Sequence, residues 1–210
     1  MPVLKAEEVV VAMIDHAVGF ANLFRSHDLA DHVNNAVALA KTAVIYDLPL
    51  VVTNGADTAP SGPLFDRLKQ VLGDREVVVR GGNFDAFATE RFADAVAATG
   101  RRKLLLSGLM TEGCVLQTAL SGLDRGYDVH VVVDAVAGET REIHDAAVQR
   151  LVQAGAVPVT WLSVASELQG TYENLATVEG FTGLMAEHSP TLGMYLQHYS
   201  ALQSGGAVAA

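Results

Sequence analysis

A single cysteine among 210 residues rules out a disulfide within the chain and points to a reducing compartment, the cytoplasm, as the expected setting. Basic residues are few, 14 against 24 acidic ones, and form no run longer than the three of Arg101-Arg102-Lys103. The formal net charge of −10 therefore weighs against nucleic acid or an anionic membrane as a partner. No apolar stretch reaches the length of a membrane-spanning helix. The short apolar run near the N-terminus ends at Asp15 and is too brief for a secretory signal. The zinc pattern HExxH, the dinucleotide pattern GxGxxG, the Gly-Lys phosphate loop and the serine-hydrolase pattern GxSxG are all missing. No metal and no cofactor is expected. Seven histidines are present; His16, beside Asp15, reads as a solvated loop residue in preference to a pocket-lining one, and Asp128 with His130, spaced like two ligands on one strand face, as ordinary strand residues.

Half of the residues are hydrophobic, ample material for a sizeable core. Continuous apolar runs rich in β-branched residues predict buried parallel strands at Val9 to Ile14, Leu50 to Thr53, Glu76 to Val79, Lys103 to Leu106, Asp128 to Val133 and Val157 to Thr160. Helical spacing predicts helices at Leu29 to Tyr46, Leu64 to Leu72, Thr89 to Thr99, Val115 to Leu123, Glu142 to Gln153 and Val164 to Gln169. Six rounds of alternation give an α/β domain with a mostly parallel, doubly wound six-stranded sheet, for which the common strand order is 3-2-1-4-5-6. One domain spans 1–210, with a helical C-terminal extension over 172–203 and a featureless tail at 204–210 that reads as disordered.

That strand order places the switch point between strands one and four, where ligands bind beyond the carboxyl ends of the strands. Asp15 closes strand one, and Cys114 follows strand four, so the two flank one crevice. A thiol at a strand-to-helix turn gains a lowered pKa and an anion-holding environment; its bland alternative is a small buried hydrophobe. Asp15 is either a backbone cap or a general base for that thiol. Arg80, ending strand three, either pairs with Asp85 or Glu76 at the surface or supplies a fixed charge that keeps Asp15 ionised and favours thiolate. To reach the crevice, the turn at Gly81 to Phe84 has to lean over strand one. Gly113 lets the backbone approach closely, and the N–H groups of Met110 and Cys114 are candidates for an oxyanion hole.

The segments Met13-Ile14-Asp15-His16, Asn54 with Ser61-Gly62-Pro63, Arg80-Gly81-Gly82-Asn83 and Gly108-Leu109-Met110-Thr111-Glu112-Gly113-Cys114-Val115 occur in order and at spacings that resemble the isochorismatase-like cysteine hydrolase superfamily, and within it the YcaC-type branch. The resemblance runs from Val9 to about Leu202. It implies a three-layer α/β/α fold, a catalytic triad at Asp15, Arg80 and Cys114, and a cis peptide at Leu109–Met110. It also implies a pocket wall at Phe20, joined by Asn54, Phe84 and Phe87. Arg80 stands where most relatives of the superfamily carry lysine. The Asp-x-His metal pair of nicotinamidase-type relatives is absent after strand two, where Thr53 to Thr58 holds no histidine. The expected activity is hydrolysis of a C–N amide bond of a small molecule through a thioester on Cys114. The alternatives are a catalytically silent binding or scaffold protein of the same fold and a redox-sensing thiol. The family is commonly oligomeric and the branch includes octamers, so a homo-oligomer is expected, with the apolar C-terminal helices, from Phe181 through Tyr199, taking part in self-association.

Overall fold

The computed structural model describes residues 3–205. The described chain forms two compact units, the first ending at Leu168 and the second starting at Gln169.

The first unit is built on a six-stranded sheet: β1 (Val9–Ile14), β2 (Leu50–Asn54), β3 (Val77–Val79), β4 (Lys103–Leu109), β5 (Asp128–Ala137) and β6 (Val157–Val159). Its order is β3-β2-β1-β4-β5-β6, and every neighbouring pair is parallel. All residues of β1 and β4 are buried, as a strand covered on both faces requires. Side chains alternate between faces. Val10, Ala12 and Ile14 of β1 join Leu104, Leu106 and Phe92 in one core layer. Each of these side chains other than Ala12 contributes roughly 1.5–3 kcal/mol on burial. The edge strands β3 and β6 are three residues long and only partly covered, short edges of the kind that resist pairing with another chain.

The crossover helices are α1 (Leu29–Ile45), α2 (Asp66–Leu72), α3 (Glu90–Ala98), α4 (Leu116–Asp124) and α5 (Arg141–Gln153), and α6 (Trp161–Gln169) follows the last strand. The Asp28 side chain caps α1 by accepting from Ala30 N at 2.8 Å, and Thr140 caps α5 by accepting from Ile143 N at 3.3 Å. The strands differ from the sequence expectation mainly at the carboxyl ends of β4 and β5. Both run on, to Leu109 and Ala137, through a register shift between Leu106 and Gly108. That extension carries the sheet up to the crevice. Gly108, at φ 146°, makes it possible: a Cβ there would lie 2.2 Å from the Ile14 carbonyl oxygen.

The second unit holds α7 (Val178–His188) and α8 (Pro190–Gly205). The Gln169 side chain ties its entry, donating to the carbonyls of Thr171 and Asn174 and accepting from Thr177 Oγ1 at 2.8 Å. Met194, Tyr195, Tyr199 and Leu202 of α8 are exposed. The helix continues through Gly205, two residues into the expected tail; the rest of that tail lies outside the described residues.

Candidate active site

Asp15 is the first residue beyond β1, and its backbone turns abruptly there. Its φ of 53° is rare for a residue with a side chain and costs about 1–3 kcal/mol. The turn is held by Asp15 N donating to Thr53 O at 3.1 Å and Ala17 N donating back to Asp15 O at 2.7 Å. The carboxylate accepts from Thr53 Oγ1 at 2.8 Å and from Arg80 Nε at 3.1 Å on Oδ1, while Arg80 Nη2 binds Oδ2. This is a two-pronged guanidinium–carboxylate pair with side chains only 3% (Arg80) and 7% (Asp15) exposed.

Arg80 thus reaches across β2 from the far side of the sheet. Its backbone N–H donates to Asn54 O at 2.9 Å, and its Nη1 is held by the Asn83 carbonyl. The turn after β3 leans toward β1 as the crevice reading required. Neither surface partner competes, because Glu76 pairs with Arg91 and Asp85 caps Phe87 N. Burial works against the Arg80 charge, but the Asp15 carboxylate and the Cys114 sulfur more than offset it and hold the guanidinium above its usual pKa.

Cys114 lies in a wide turn, Thr111–Val115, that widens the entry to α4. Met110 O accepts from both Gly113 N and Val115 N, at 3.1 and 3.2 Å, and the Leu109–Met110 peptide is cis, as expected. The turn is anchored from behind. Thr111 Oγ1 and His144 Nδ1 share a hydrogen bond of 2.9 Å, and Glu112 Oε1 accepts from Glu139 N at 3.0 Å. The thiol does not follow the expectation of a lowered pKa. Burial pushes it up, Arg80 pulls it down, and Asp15 pushes it up again, leaving it above the ordinary thiol value. A thiol raised in this way is protonated at neutral pH, under the opposed influence of the Asp15 and Arg80 charges.

The three side chains meet at the floor of a cavity of about 580 Å³, well within the range of small-ligand sites. Phe20, Val79 and Phe84 form apolar walls, with Ser61 and the Gly81–Asn83 turn beside them. Two of the expected pocket residues sit elsewhere. Phe87 is buried in the core, edge-on to Phe92 and stacked on Tyr127; it belongs to a short helical turn whose inner face packs on the sheet. Asn54 is buried outside the cavity lining, its Nδ2 donating to Gly62 O at 2.9 Å, so it shapes the wall loop rather than the pocket surface. That loop is clamped to the segment after β1: Gly19 N donates to Ser61 O, and a Cβ on Gly19 would lie 2.3 Å from Pro60 O.

His16 is fully buried rather than solvated, its Nε2 bonded to Ser107 Oγ at 3.0 Å, and burial drives its pKa down to about 3. His32 lies 5.3 Å away, ring to ring, and His27 packs edge-on against His144. Among the described residues no group of His, Cys, Asp or Glu is arranged to hold a metal ion.

A model of the isochorismatase domain matches residues 9–163. YcaC of Escherichia coli (strain K12) is 37% identical over 200 residues, 95% of each chain. The chain belongs to the isochorismatase family. Within the family it sides with the YcaC-type branch. Its fold superposes on the crystal structure of the Escherichia coli YcaC gene product, an octameric hydrolase of unknown specificity, with a TM-score of 0.91 over 96% of this chain and 98% of that one. YcaC from Pseudomonas aeruginosa, solved with hexane-2,5-diol and covalent acrylamide, gives 0.89 at 34% identity over 94% of this chain and 97% of that one. The protein is an isochorismatase-family hydrolase.

Proposed function

We propose that this hydrolase cleaves a C–N amide bond of a small molecule through a thioester on Cys114. The observation that carries the reading is the convergence of Asp15, Arg80 and Cys114 on the floor of one cavity. A protonated thiol is a poor nucleophile, so the sulfur needs a base in contact with it. Asp15 takes the sulfur's proton as the sulfur attacks the carbonyl carbon. The C–N bond then breaks, and the amine or ammonia departs with the proton from Asp15. Asp15 next takes a proton from water, whose oxygen attacks the thioester. The C–S bond breaks, and the proton returns to the sulfur as the acid leaves. Arg80 orients the Asp15 carboxylate and supplies the opposite charge beside it; arginine does not give up its proton, so its role is electrostatic. The N–H groups of Met110 and Cys114 are assigned to the developing oxyanion.

The covalent acrylamide in the Pseudomonas aeruginosa relative supports a nucleophilic group in that protein that small electrophiles can reach. The octameric Escherichia coli relative, together with the exposed apolar side chains on α8, supports a homo-oligomer, with an octamer as the precedent. A single reduced cysteine that must stay a thiol suits the cytoplasm. The test is a screen of small amides against the native protein and Cys114→Ala. Hydrolysis is expected to vanish in the variant; full turnover by Cys114→Ala would sink the proposal. The protonated resting thiol also favours a second reading, a binding protein that has lost turnover. Saturable binding of a small amide with no product released, not even one equivalent per site, would identify it.

A further inference from the structure

Resting on the proposed function, we infer that the substrate is an uncharged amide with an apolar body, and that carboxylate-bearing and cationic molecules are excluded. Two charged side chains line the cavity, Asp15 and Arg80, and they neutralise each other. The guanidinium has spent two N–H groups on Asp15 and one on the Asn83 carbonyl, and its charge also acts on the Cys114 sulfur. No cation among the lining residues is left to meet a substrate carboxylate, and no carboxylate is left to meet a substrate ammonium. A charged group entering here loses its water without gaining a partner. Two other cations, Lys69 and Arg75, line a second cavity that shares Gly55, Ala56 and Val79 with this one, where Lys69 is paired with Asp66 and Arg75 binds the Leu72 carbonyl. The net charge of −10 adds a long-range penalty for anions.

What the cavity offers is apolar surface: Phe20, Val79, Phe84, Pro60 and two alanines, with the Ser61 hydroxyl for orientation. Phe84 is 56% exposed, costly for a phenyl ring in water and useful if a ligand covers it.

Alkylation of the single cysteine tests this directly, with three reagents of similar size: iodoacetamide (neutral), iodoacetate (anionic) and 2-bromoethylammonium (cationic). Each native rate is divided by the rate for the same cysteine in the unfolded chain, which removes the reagents' intrinsic reactivity. The neutral reagent's ratio is expected to exceed both charged ratios by about 10-fold or more at low salt. An iodoacetate or bromoethylammonium ratio equal to or above that of iodoacetamide overturns the inference while leaving the nucleophile in place. A native thiol silent to all three, yet reactive once unfolded, overturns the proposed function itself, and the inference falls with it. For the apolar body, N-benzyl-iodoacetamide is expected to outpace iodoacetamide, and Phe84→Ala to remove that advantage; an advantage undiminished in Phe84→Ala overturns the assignment of the ring.

Discussion

Asp15→Asn separates two effects that are easily conflated. Asparagine keeps the side-chain shape and can still accept from Thr53 Oγ1, but it leaves the Arg80 guanidinium, 3% exposed, without its counter-charge. Removing one partner of a buried ion pair costs about 3–5 kcal/mol. For a chain of this size that is a loss of roughly 6–20 °C in melting temperature. The thiol moves the other way. Asp15 pushes the Cys114 pKa up and Arg80 pulls it down, so the variant leaves the arginine unopposed and the pKa falls. The variant should therefore hold more thiolate at neutral pH than the native protein and still fail to turn over amides, because the proton carrier is gone. Ultraviolet titration of thiolate absorbance reads the single cysteine without interference from others, and calorimetry reads the stability. A thiol pKa that rises or stays put, with a melting temperature within about 2 °C of native, would refute the description of Asp15 and Arg80 as a coupled, desolvated pair acting on the sulfur.

Three further outcomes are expected. Gly108→Ala forces a methyl group to 2.2 Å from the Ile14 carbonyl and a side chain onto φ 146°, so it should lose more than about 4 kcal/mol in urea unfolding, or leave no folded protein to measure. Burial lowers the pKa of His144 to about 4 and of His16 to about 3, from 6.5, so unfolded chains bind protons that folded ones refuse. Stability should be intact above pH 6.5 and fall as the pH drops through that window. His144→Gln should lessen the slope of unfolding free energy against pH by up to about 1.4 kcal/mol per unit. Asp134 behaves oppositely: burial raises its pKa from 3.8 to about 6, so the folded state holds the extra proton and stability declines as pH rises across that interval. Asp134→Asn should escape this decline and gain roughly 1–2 kcal/mol relative to native above pH 6, part of the full shift being screened by solvent; a stability difference between Asp134→Asn and native that is the same at pH 4 and pH 7 would refute it.

The strand order and the meeting of Asp15 with Cys114 were legible because both follow from hydrophobic runs and the topology of parallel sheets. The length of β4 and β5 was not. Ser107-Gly108 reads as a turn, and only the close approach of β1 explains a glycine inside a strand. The reach of Arg80 across β2 depends on a loop path that no periodicity encodes, and the family resemblance supplied it. Thr53 could have been found, since strand two neighbours strand one and Thr53 is the register partner of Ile14. His16 was misread because the residue after a strand usually meets water, whereas here the chain doubles back and buries the ring against Ser107. Phe87 was misplaced for the converse reason: its turn lies near the crevice but faces inward. The direction of the thiol's pKa depended on a balance of burial against two opposite charges, which spacing alone does not reveal.

The Arg80 side chain, anchored at the end of a three-residue edge strand and clasping a carboxylate two strands away, is also a mechanical staple. Opening β3 from the sheet pulls the guanidinium off Asp15, so fraying of the edge and loss of the reactive constellation are one cooperative event. Amide exchange in β3 should therefore proceed no faster than the site disassembles, and a ligand bound on the cavity floor should slow exchange in a strand it never touches.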